Sequence, residues 1–93
     1  MTTLQSKITI PEDVMFREVK GEAVILNIAN GKYYGLDDVG TRMWALLAEH
    51  LQLEPVHRAL LDEYDVQPEV LQADLIRLVD ELAAQGLVML DAG

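Results

Sequence analysis

The sequence predicts an α+β fold, a three-stranded antiparallel sheet followed by three helices, and three observations carry that prediction. Short runs rich in β-branched and apolar residues occupy positions 14–36, and the breaks between them are too brief for a parallel crossover. From Asp38 onward, apolar residues recur at helical spacing, punctuated by proline and glycine. The chain has 93 residues with 51% hydrophobic content, enough for a single domain with one core and too little for two.

The first eleven residues are polar, weakly patterned and closed by Pro11. A loose arm is expected there, in which Ile8 and Ile10 alternate with polar neighbours as a short strand would. The meander then reads VMFREV, a turn at Lys20, Gly21 and Glu22, AVILNIA, a turn at Asn30 and Gly31, and KYYGL. The middle strand is almost continuously apolar from Ala23 through Leu26 and again at Ile28, the mark of a strand covered on both faces or central in its sheet, and it is placed in the middle. A two-residue turn at Asn30 and Gly31 sets Ile28 opposite Tyr33 and Asn27 opposite Tyr34, so the adjacent tyrosines fall on opposite faces of an edge strand. Tyr34 shares a face with Leu36 and is expected inward, which leaves Tyr33 for a partner.

Asp37 or Asp38 supplies a carboxylate to cap a first helix over 38–50, where Val39, Met43, Leu46, Leu47 and His50 follow one stripe beside Trp44 and Leu51. A second helix over 55–64 has proline in its first turn and Val56, Ala59, Leu60 and Tyr64 on one face. The segment Asp65-Val66-Gln67-Pro68 breaks it and starts a third helix over 68–85, which Gly86 stops. The apolar tail LVML is expected to pack back as an extended segment. On the third helix Leu71, Leu75, Ile76, Leu78, Val79, Leu82 and Ala83 spread over an arc of about 160 degrees, where a surface helix needs roughly 100. Either the core clasps this helix on two sides, or one margin of the stripe is left for a partner.

Composition excludes several function classes. The absence of cysteine removes disulfides, thiolate metal sites, iron–sulfur clusters and a cysteine nucleophile, and fits a reducing cytoplasm. No basic segment precedes an apolar run at the N-terminus, and no apolar stretch approaches the ~20 residues of a membrane span. A formal charge of -9 opposes nucleic acid and anionic membrane surfaces alike. His50 and His57 sit in different elements without further ligands and read as surface or helix-end residues. Ser6 lies in the arm, and Gly31, Gly35 and Gly40 do not form a phosphate-binding loop. No cofactor or metal is called for, and so small a chain offers little room for a deep cleft. A binding module is expected rather than an enzyme.

Two short helices, a tight turn and a long third helix also describe a winged helix-turn-helix. Its would-be recognition helix carries Glu69, Asp74, Asp80 and Glu81 against Arg77 alone, which repels phosphates, so a winged-helix-like architecture is expected without its DNA function. A transcriptional regulator remains the competing reading from this pattern, as does a small homodimeric scaffold subunit that pairs two edge strands or two third helices.

The stretch LNIANGKYYGLDDVGTRMWALL, followed by EYDV and DLIRLVDELAAQGLV, resembles the PqqD-like family, also called the RiPP precursor peptide recognition element. The resemblance spans about residues 8–90 and is most specific at Gly35, Leu36, Asp37, Gly40 and Trp44. It implies a winged-helix-like domain that holds the leader of a ribosomally made precursor peptide as an extra strand, beside the third helix. It also implies a modifying enzyme as second partner: a radical SAM enzyme, a leader peptidase or a cyclase. With no attached domain the chain looks like a stand-alone member, of the pyrroloquinoline quinone or lasso peptide type. Carried over by position, the leader-binding residues are Lys32, Tyr33, Tyr34, Gly35 and Leu36 on the strand and Leu71, Asp74, Leu75 and Leu78 on the helix. Asp74 reads equally as a holder of a basic or amide group and as a solvated carboxylate. An unpaired edge accepts any extended peptide, and each bond contributes only about 0.5–1.5 kcal/mol net, so side-chain pockets must supply the specificity.

Overall fold

In the computed structural model, which describes residues 2–20 and 22–91, the chain runs β1 (Ile8–Thr9), β2 (Val14–Val19), β3 (Glu22–Asn27), β4 (Tyr33–Leu36), α1 (Asp38–His50), α2 (Leu53–Glu63), α3 (Pro68–Ala84) and β5 (Met89–Leu90). The three-stranded antiparallel sheet has the order β2-β3-β4, so the apolar strand β3 is central and β4 is an edge, as predicted. Gly21, in the first predicted turn, lies outside the described residues.

One face of this sheet closes on the helices. Ala23, Ile25 and Leu36 meet Met43, Leu46 and Leu47 of α1, Leu53, Val56 and Leu60 of α2, and Leu71, Leu75, Val79 and Leu82 of α3 in one buried cluster. Trp44 is also buried, with Phe16 of β2 stacked on it at a centroid separation of 6.5 Å. Core covers Leu71, Leu75, Val79 and Leu82 of the wide α3 stripe, and the buried Leu78 sits at its margin.

The helix boundaries follow their caps. Asp37 starts α1 by accepting the Gly40 N–H at 2.7 Å, which satisfies a donor that has no partner within the helix. The second helix begins at Leu53, earlier than the predicted 55, because the fully buried Leu53 is drawn into the core while Pro55 still sits in the first turn. Gly86, at φ 74, turns the chain out of α3 in the left-handed region that favours glycine.

The expectation of a loose arm is corrected. Ile8 is buried, Ile8 and Thr9 pair antiparallel with Leu90 and Met89, and the Ile8 N–H donates to the Leu51 carbonyl at 2.9 Å. The returning tail is what fixes it: Leu87 and Val88 are buried, and β5 beyond them offers the ladder that a lone strand lacks. Thr2 is buried as well, its hydroxyl donating to Asp80 on α3. The reading of His57 as a surface or helix-end residue is corrected too, because its ring is buried and its Nε2 lies 3.0 Å from the carbonyl oxygen of Pro68. A carbonyl only accepts, so Nε2 carries the proton and ties α2 to the start of α3.

Candidate functional site: the β4 edge and the groove beside α3

The hairpin that leads into β4 is organised by one buried side chain. Asn27 donates its Nδ2 to the Gly86 carbonyl at 2.8 Å, and its Oδ1 accepts the Ala29 N–H at 2.9 Å and the Asn30 N–H at 3.3 Å. Its backbone N–H donates to the Lys32 carbonyl and its carbonyl accepts the Gly31 N–H. The connection therefore spans residues 28–32 in place of the predicted two-residue turn, and the predicted register is corrected: Leu26 pairs with Tyr33 and Ile25 with Tyr34. Asn27 won that competition because its amide satisfies the turn and the end of α3 at once. The outcome for the tyrosines survives, since shifting both partners preserves their alternation. Tyr34 faces inward with Ile25 and Leu36, and Tyr33, 69% exposed, faces outward beside Leu26 and Met15.

Register also decides which backbone groups are free. In an antiparallel ladder alternate residues point both N–H and C=O at the neighbouring strand. The bond from Asn27 to Lys32 fixes the phase, so Tyr34 and Leu36 bond inward to β3, while Tyr33 and Gly35 turn their N–H and C=O to the open side. Only alternate residues of the predicted pairing strand are thus available to an incoming strand.

Below that open side runs a groove. Tyr34, Gly35 and Leu36 form one wall, Asp74, Arg77, Leu78 and Glu81 of α3 the other, and Asp37, Val39, Gly40 and Met43 close it at the start of α1. Its floor is apolar, made by Leu36, Met43 and Leu78 with the half-open Val39 above them. Gly40 permits this closure: a Cβ there would stand 3.1 Å from Asp37 Oδ1 and 3.2 Å from Leu36 Cδ2. The rim is charged. The Tyr34 hydroxyl donates to the Glu81 carboxylate, a bond that, with burial and the nearby negative charge, holds the phenol above its ordinary pKa. Arg77 lies 3.4 Å from Asp74.

Of the residues expected at the site, Tyr34, Gly35, Leu36, Asp74 and Leu78 line the groove. Tyr33 lies on the outer face with an open backbone, and Lys32 belongs to the connection before β4. Leu71 and Leu75 are core residues and do not reach the groove. Sequence reasoning passed over Arg77 and Glu81, although Asp74, Leu78 and Glu81 stand at i, i+4 and i+7 on one helix face. It also read Asp37, Val39 and Met43 only as cap and core. No cluster of three or more metal-ligating side chains occurs among the described residues, and no described helix is long and apolar enough to cross a membrane.

Comparison with known proteins gives this geometry a context. The family model described as PqqD, Coenzyme PQQ synthesis protein D, matches residues 22–88. No curated protein sequence matches the chain significantly. Among solved structures, TbiB1 in complex with the TbiA(beta) leader peptide is 33% identical with a TM-score of 0.80, over 87% of this chain and 94% of that one. Lasso peptide synthetase B1 complexed with the leader peptide has a TM-score of 0.79 at 20% identity, over 89% of this chain and 98% of that one, and shares the fold.

Proposed function

The chain belongs to the PqqD family, and we propose that it holds the leader segment of a ribosomally synthesised precursor peptide as an added strand on β4. The observation that carries this reading is the pairing of an open strand edge, at Tyr33 and Gly35, with an apolar-floored groove directly beside it. Its likeness to TbiB1, a leader-bound protein, supports the same reading. Two open residues supply only a few backbone bonds of about 0.5–1.5 kcal/mol each, so the groove must contribute much of the affinity and most of the selectivity. In this reading the protein binds and presents rather than catalyses. It keeps the leader extended and leaves the remainder of the precursor free for a modifying enzyme, such as a radical SAM enzyme, a leader peptidase or a cyclase.

The test is an NMR titration with the leader of the precursor encoded beside this gene. Saturable shifts are expected in the amides of Tyr33 and Gly35 and in Asp74, Leu78 and Glu81. Shifts confined to the outer face of the sheet, or none that saturate, would sink the reading.

A further inference from the structure

Resting on the strand-addition reading, we infer that the groove selects leaders in which a lysine or arginine stands two residues from a large apolar side chain. The ladder sets the geometry. A strand added at β4 exchanges bonds with Tyr33 and Gly35, and its residues opposite them share their outward face. Its residues opposite Tyr34 and Leu36 then point inward over the groove, and these two are separated by one residue. They meet different surroundings. Opposite Leu36 lies the apolar floor of Met43 and Leu78, with Val39 at its edge, a hollow that accepts a large aliphatic or aromatic side chain. Opposite Tyr34 lies the Glu81 carboxylate, which Tyr34 itself holds in place.

The charges around that second position do not balance. The groove is lined by Asp37, Asp74 and Glu81 against Arg77, whose guanidinium lies on Asp74. Asp37 spends one oxygen on the helix cap, and Glu81 has no cationic partner among the described residues. A carboxylate oxygen has lone pairs left after accepting from a phenol, so Glu81 can take a charge-assisted bond from an ammonium or guanidinium. A carboxylate brought to the same place meets repulsion from all three acids, which makes the rim a filter as well as a contact.

The test uses the leader of the precursor encoded beside the gene, and the same peptide with each lysine or arginine changed singly to glutamine, against the wild-type protein and Glu81→Gln. Replacing the basic residue two positions from a large apolar one is expected to weaken binding about two- to fivefold, the range of exposed ion pairs. That loss should vanish in Glu81→Gln, whose affinity should also fall less steeply with added salt. Tyr34→Phe, which removes the hydrogen bond and keeps the carboxylate, should retain the preference for the basic peptide even if affinity changes. The inference is overturned if no single replacement matters, if the loss persists in Glu81→Gln, or if the leader segment on β4 has no such basic residue. Any of those results, with shifts still present at Tyr33 and Gly35, leaves strand addition standing; absence of binding at β4 removes both.

Discussion

Asn27 connects three parts of the molecule through one amide. It terminates β3, shapes the connection 28–32 and holds the Gly86 carbonyl at the end of α3. Buried as it is, its truncation strands the Gly86 carbonyl and the Ala29 and Asn30 N–H groups without their partner. Asn27→Ala is expected to lower stability by about 1–3 kcal/mol in urea unfolding and to weaken leader binding further, because the position of β4 beside α3 depends on this clamp. A change below about 0.5 kcal/mol would show that water replaces the side chain without loss. The fit is close on both sides: a Cβ on Gly86 would stand 2.7 Å from Asn30 Nδ2, so the turn and the glycine are matched to each other.

At the scale of elements, α3 divides its residues between two tasks. Leu75 and Val79 are fully buried, and Asp74, Leu78 and Glu81 are turned by the helical period to the groove. Leu75→Ala should therefore cost about 2–5 kcal/mol in denaturant unfolding, the range for emptying a packed site, while Val39→Ala, at a residue 40% exposed, should change stability little and leader affinity more. A Leu75→Ala variant of native stability that fails to bind leader would place Leu75 in the groove instead. Most of this architecture was legible in the sequence because the local signals agree: VMFREV, the apolar run before Asn27, Asp37 or Asp38 as cap, and Pro68 with Gly86 bracketing α3. The register of the hairpin was not, since Asn30-Gly31 is a strong turn signal and the Asn27 amide, bonded to Gly86 as well as within the turn, outweighs it. Nor was the packed arm, whose partner is the tail at the far end of the chain. The groove was half legible. Its strand followed from the tyrosine pair, but an apolar arc on α3 does not by itself distinguish the core-facing Leu71 and Leu75 from Leu78 at the margin.

For the molecule as a whole, the sheet has two free edges, and the proposed strand addition has a physical reason to favour one of them. On β2 the same ladder phase turns Phe16 and Glu18 outward, confirmed by the bond from the Ile28 N–H to the Asp13 carbonyl at 2.9 Å. Beside β2, however, Phe16 lies stacked on Trp44, whereas beside β4 the groove stays open between Leu36 and α3. Strand addition at β4 thus gains side-chain burial as well as backbone bonds, and addition at β2 gains chiefly the latter. Amide hydrogen exchange with and without the neighbouring precursor's leader tests this most directly. The amides of Tyr34 and Leu36, bonded to β3, should be protected in the free protein, and those of Tyr33 and Gly35 should become protected only when leader is added. Protection gained at Phe16 and Glu18, with Tyr33 and Gly35 unchanged, would place the leader on β2 and overturn strand addition at β4.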